Sequence, residues 1–173
     1  MSISNGGRST LSLRVLAYGS VLSTYVLILI GGYVTTTNSG LGCGESWPLC
    51  SGAVLPSLND VSQIIEFTHR IFNFVVAFFV LGMSILVWTR YREEKNLFQL
   101  STASFLALMA QVLLGGFTVT TSLNPVISDA HLGLASAVFG LLVANAVTVW
   151  NLTRRPTEVF RRITGNSRVI TSA

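Results

Sequence analysis

Residues 64–88 read IIEFTHRIFNFVVAFFVLGMSILVW. From Ile71 to Trp88 there is no charged side chain, and a bilayer needs about 20 such residues of helix to be crossed. Just ahead of that run, a glutamate, a histidine and an arginine stand within five residues. Elsewhere the chain uses charge sparingly. Half of its 173 residues are hydrophobic and a tenth are charged, against about a quarter in a soluble domain, and mean hydropathy is +0.62. Ionisable groups at a membrane helix are expensive and mark function by default, so the use of Glu66, His69 and Arg70 is the question that the rest of the chain has to answer.

Four stretches are long enough to span: Val15–Thr35, Ile71–Trp88 with a polar lead-in from Val61, Leu97–Thr121 and Ile127–Leu152. The first has too long an apolar core, and no small-residue cleavage pattern after it, to read as a signal peptide. The basic balance, +4 at pH 7, does not indicate nucleic acid, because the charges follow the spans. Arg8 and Arg14 precede span one; Arg90, Arg92 and Lys95 lie between spans two and three; Arg154, Arg155, Arg161, Arg162 and Arg168 follow span four. The other two loops hold no lysine or arginine. The positive-inside rule then puts both termini in the cytoplasm, in the cell membrane, with the loops after spans one and three outside. Arg70 alone is out of place; the remaining positive charge is assigned to topology.

Span one ends LIGGYVTTTNSG (29–40) and span three ends LLGGFTVTTSLN (113–124). Trp88 follows His69 by nineteen residues, and Trp150 follows His131 by nineteen. The sequence therefore predicts an all-α integral membrane protein, a bundle of four transmembrane helices built from two related hairpins about an approximate two-fold axis along the membrane normal. Residues 1–153 form the bundle, with an outer loop over 38–60, and 154–173 form a basic cytoplasmic tail. The two-fold brings His69 and His131, the only histidines, to matching depth on diagonal helices near the outer face. Such a pair suits a shared ligand. Zinc takes four ligands, usually three or more of them from protein, and a di-iron carboxylate site needs two Glu-x-x-His units, of which there is one, Glu66 to His69. Haem needs only axial ligands, for which imidazole is usual, so haem and its iron fit best. The pairs Gly31–Gly32 and Gly115–Gly116 are expected to give room at the ring edge.

Glu66, His69, Arg70 and Asn73 fall at i, i+3, i+4 and i+7, one helix face. Glu66 and Arg70 stand in the favourable order for an ion pair. They either neutralise each other at the interface, or Arg70 meets a haem propionate while Glu66 orients the imidazole or handles protons. Span four has no such set, since Asp129 lies two residues before His131 and on another face. Cys43 and Cys50, in GLGCGESWPLCSG on the outer loop, sit where disulfides persist, either as a structural staple or as a redox pair.

The sequence TNSGLGCGESWPLC, then EFTHR opening span two, with a second histidine opening span four, resembles the haem A synthase family over nearly the whole chain from span one to span four. The resemblance implies oxidation of the haem O ring methyl to a formyl group, giving haem A for terminal oxidases. His69 and His131 would be axial ligands of haem B, haem O or haem A, Glu66 the carboxylate of catalysis, and Cys43 with Cys50 the outer-loop pair. Usual members have eight spans, two bundles with a histidine pair in each. One bundle here implies a homo-oligomer, or one site that does everything. The expected partners are haem O, membrane lipid, like subunits and a haem O synthase or electron donor. A non-catalytic bis-histidine cytochrome or haem carrier is the competing reading, and a small four-span transporter with Glu66 as coupling carboxylate is a third.

Overall fold

Asp60 starts the second helix. Its backbone is extended, and its Oδ1 accepts from the backbone N–H groups of Ser62 and Gln63 at 2.9 and 3.3 Å, which satisfies two of the donors left open at a helix N-terminus. The polar lead-in is thus helical throughout. In the computed structural model, which describes residues 4–154, the elements are α1 Ser4–Thr36, α2 Val61–Arg90, α3 Lys95–Thr120 and α4 Pro125–Arg154. All four are long and apolar enough to cross a membrane. Proline opens α4, where its missing N–H costs nothing. Both α1 and α2 begin about ten residues ahead of their apolar runs, because polar side chains at a span's end do not interrupt the backbone ladder. Glu66 and His69 therefore lie in the second and third turns of α2, inside the bundle rather than at its mouth.

The principal contacts are α1 with α2 and α4, and α3 with α2 and α4. The bundle is a square, with α2 and α4 on one diagonal. The repeat is present in the backbone. Asn38, Ser39 and Thr37 donate to the carbonyls of Thr35, Val34 and Tyr33; Ser122, Leu123 and Thr121, the corresponding residues of α3, donate to Val119, Thr118 and Phe117. Asn38 and Ser122, the first residues past each exit turn, have φ of 55° and 51°, the left-handed conformation that ends many helices by capping the last carbonyls. The threonines that make both exits look alike return their hydroxyls to the preceding turn, Thr37 to Tyr33 at 2.7 Å and Thr121 to Phe117 at 2.6 Å.

Away from the loop end, the square is filled by Val76, Val80 and Met83 from α2, Leu108 from α3, and Val138, Leu142 and Val149 from α4. Hydrocarbon alone holds membrane helices together weakly, so small residues and interhelical hydrogen bonds matter. Asn145 donates to Ser104 at 2.8 Å, Ser101 to Ser84 at 3.2 Å and Trp88 to Thr102 at 3.0 Å. Arg14 does more than set topology. Its Nε and Nη2 donate to the hydroxyl and carbonyl of Thr153, at 2.8 and 3.1 Å, at the end of α4, and so close the terminal end of the square. The predicted basic tail, apart from Arg154 itself, lies outside the described residues; Arg154 stacks its guanidinium 4.0 Å from the Trp150 ring centre.

The loop from α1 lies against the first turn of α2 with no space to spare. A Cβ at Gly42 would fall 2.4 Å from the carbonyl of Ser62. Gly42→Ala is expected to cost about 1–3 kcal/mol, as overpacking does, read as a lower thermal unfolding midpoint in detergent, while Gly32→Ala, which meets nothing within 4 Å, leaves the midpoint in place.

Candidate functional site

His69 on α2 and His131 on α4 both lean inward between the apolar core and the loop end. Each ring rests on the first glycine of the preceding helix's Gly-Gly pair. A Cβ on Gly31 would fall 3.2 Å from His69 Cε1, and one on Gly115 would fall 3.0 Å from His131 Cε1. The glycines thus make room for the imidazoles themselves. The second glycines diverge: Gly32 faces open space, whereas the Trp47 indole covers Gly116, 2.9 Å from where its Cβ would be. Both Nδ1 atoms are buried without a hydrogen-bond partner. A buried polar atom that lacks a partner calls for an explanation such as an ion or a ligand.

One turn nearer the loop, Glu66 is 4% exposed. Its Oε2 accepts from the Cys43 backbone N–H at 2.8 Å. Its Oε1 accepts from Arg70 Nε at 3.0 Å and from Arg70 Nη2. Arg70 Nη1 points the other way, into the loop, and donates to the carbonyls of Ser46, Pro48 and Leu49 at 3.0, 3.2 and 2.8 Å. Glu66 and Arg70 do form the ion pair across one turn, and together they hold the outer loop. Of the guanidinium's five N–H groups, these bonds leave an Nη2 hydrogen for any other acceptor. Asn73 shares the face but spends its amide on the His69 carbonyl, at 3.0 Å. Asp129 is exposed.

The loop is closed by a disulfide between Cys43 and Cys50, both sulfur-bearing residues being buried, at 0% and 2%. Beyond Trp47 on Gly116, Glu45 accepts from the Ser122 hydroxyl. The loop therefore extends from the first hairpin over the second. Neither contact was legible in the sequence, nor was Gln111 on α3, whose Nε2 donates to the His131 carbonyl at 3.1 Å. Only the repeat carried a signal for it: the matching position on α1 is Leu27.

These residues fit a haem. Two imidazoles on diagonal helices, each given clearance by a glycine, can each offer one ring nitrogen to a shared iron, the two that axial ligation asks for. Among the described residues no group of three or more His, Cys, Asp or Glu is placed to hold a bare metal ion.

The chain matches the model of the COX15-CtaA family, described as cytochrome oxidase assembly protein, over residues 14–173. It is similar to the protein named Heme A synthase of Bacillus pumilus (strain SAFR-032), 35% identical over 149 residues, covering 82% of this chain and 47% of the relative. Against the Heme A synthase of Bacillus mycoides (strain KBAB4) it is 32% identical over 143 residues, covering 83% and 46%. The chain spans about half the length of the curated relatives it matches.

The glycine contacts predict a contrast. Gly115→Ala and Gly31→Ala displace an imidazole and are expected to weaken haem retention about tenfold, the scale of losing a ligand's supporting contact, whereas Gly32→Ala leaves retention unchanged. Haem-to-protein ratio after gel filtration in detergent measures this.

Proposed function

We propose, because the chain belongs to the COX15-CtaA family of cytochrome oxidase assembly proteins, that it is a membrane oxidoreductase that converts haem O to haem A for terminal oxidases. The observation that carries the reading is the pair of half-buried imidazoles on the diagonal helices α2 and α4, each set against a glycine and each with a buried Nδ1 that has no hydrogen-bond partner. His69 and His131 are the proposed axial ligands. When bound, haem would supply a redox centre for oxidation of its ring methyl to a formyl group, a four-electron change for which an external oxidant and an oxygen atom must be delivered.

The protein's part is positioning, exclusion of water and proton handling. Glu66 is the proposed proton-handling group. It is supported by its place one turn from His69, by near-complete burial and by a carboxylate fixed through both oxygens. A general acid or base must be held in place before its proton affinity matters. Arg70 holds that carboxylate and is the proposed anchor for a propionate through its remaining Nη2 hydrogen. Asn73 steadies the α2 backbone at the ligand by its bond to the His69 carbonyl, and Cys43–Cys50 fixes the loop that supplies the N–H to Glu66. Trp47 covers Gly116 on α3 and Glu45 accepts from Ser122 just past its end. Haem O, with its long apolar tail, is proposed to approach from the lipid, which the exposed Gly32, Gly133 and Gly140 face without a side chain within 4 Å.

The proposed topology has both termini and the 154–173 tail in the cytoplasm and the disulfide loop outside, supported by the placement of arginine and lysine. The proposed unit is residues 1–153. Its proposed partners are haem O, lipid, a haem O synthase as the source of substrate, an electron donor, and like subunits in a homo-oligomer. The bound pigment is proposed to be haem O or haem A, with haem B where the site serves electron transfer.

One observation favours a second reading. Both Glu66 oxygens are already engaged in holding the loop, as they would be in a bis-histidine cytochrome or haem carrier without catalysis. The reduced spectrum of the purified protein, with extraction of its pigment from cells that make haem O, separates the two. Formyl-bearing haem is expected from the wild type. Glu66→Gln is expected to keep the haem and lower conversion about a hundredfold, the lower range of general acid–base contributions. Haem B alone, with no conversion, would establish the cytochrome instead.

A further inference from the structure

Gln111 lies on α3 one turn from Gly115, toward the apolar core, and is 8% exposed. Its Nε2 donates to the His131 carbonyl at 3.1 Å and also lies 3.4 Å from His131 Nε2. Its Oε1 is buried with no hydrogen-bond partner. Neighbouring α3–α4 contacts are met by serine and asparagine, one turn or more further on, so Gln111 is not needed to pair those helices.

The other imidazole has no such neighbour. The offset that carries Gly31 onto Gly115 carries Leu27 onto Gln111, and Leu27 packs on the hydrophobic core. Among the described residues no ring nitrogen of His69 makes a hydrogen bond. The two histidines are thus equivalent in glycine support and unlike in their partners: an amide stands at His131, and the matching residue of α1 is a leucine that packs on the core.

A primary amide anchored on the histidine's own carbonyl has a second N–H to offer at the ring. An imidazole nitrogen accepts that N–H through its lone pair, the same lone pair it gives to iron. Hydrogen bonding to Gln111 and ligation through Nε2 therefore exclude each other at one atom. The amide stabilises His131 only when that ring is off the iron, and His69 has no equivalent place to go. We infer that Gln111 is a positioning residue that makes His131 the exchangeable ligand of the pair, with His69 the permanent one. This rests on the haem reading above and adds to it an order between the two ligands.

Carbon monoxide binding to the ferrous, haem-loaded full chain tests the inference, since a haem held by two histidines takes up the gas only as one of them leaves. Gln111→Met keeps the side chain's length and removes its donors; Gln111→Leu copies the α1 position. Both are expected to slow carbon monoxide uptake about fivefold, the worth of one hydrogen bond, with the resting low-spin spectrum unchanged. A merely structural role would lower the haem content while leaving the rate of the loaded fraction alone, and that result overturns the inference. Leu27→Gln, which supplies the amide at the other ring, is expected to speed uptake by a similar factor and keeps the test decisive if the Gln111 variants do not fold; an unchanged rate there counts against it. A wild type with no low-spin haem spectrum would overturn the haem reading itself. A low-spin wild type with rates indifferent to Gln111 would overturn this inference alone.

Discussion

A glutamate and an arginine one turn apart on α2 carry the loop end of the molecule. Burying either charge in a membrane bundle is costly, and an ion pair repays that only when its remaining hydrogen-bonding capacity is also met. Here it is met by the loop: the Cys43 N–H on one side of the pair, the carbonyls of Ser46, Pro48 and Leu49 on the other. The dependence is mutual. A loop in this position has backbone groups that need partners, and the pair supplies them. Once the loop is held, Trp47 can cover Gly116 and Glu45 can reach Ser122, which ties the first hairpin to the second at the end where the histidines lie.

Below the loop the molecule is two-fold in backbone and asymmetric in chemistry. The exit turns of α1 and α3 share three backbone hydrogen bonds at matching positions, and the first glycine of each pair lies under an imidazole. Symmetry of this kind makes a pair of like-placed histidines simple to encode, because one helix–turn–helix solution is used twice. It does not assign roles. The roles come from positions where the repeats differ: Glu66 against Ser128, Arg70 against Leu132, Gln111 against Leu27, Gly116 under Trp47 against Gly32 in the open.

Much of this was legible in the sequence, for identifiable reasons. The four spans follow from apolar run length, the pairing of hairpins from the Gly-Gly and histidine–tryptophan spacings, and the shared face of Glu66, His69 and Arg70 from helical geometry. What was not legible shares one physical property. Arg70 meets the loop through backbone carbonyls, and Arg14 meets α4 partly through one; every residue has a carbonyl, so no residue type announces the contact. The lead-in from Val61 coincides with the start of α2, capped by Asp60, whereas α1 begins well ahead of Val15, because hydropathy reports where the lipid is and hydrogen bonds decide where a helix begins. The glycine pairs were read as clearance for a ring edge; the first of each also lies against an imidazole, a contact that needs the rotation of one helix against another.

The disulfide can be weighed in the same terms. Two readings were open for Cys43 and Cys50, a staple or a redox pair. Thiol–disulfide exchange needs an incoming thiolate to reach a sulfur, and both residues are buried, at 0% and 2%. The loop would have to open first, which means parting Arg70 from its three carbonyls and Cys43 from the buried Glu66. The covalent closure, by contrast, has a direct structural consequence. By closing a short loop it limits the conformations from which the Arg70 carbonyls must be gathered, and it fixes the one N–H that reaches the buried carboxylate. The geometry therefore gives the disulfide its work through Glu66 and Arg70, as a constraint on where the carboxylate sits relative to His69, rather than through exchange at sulfur.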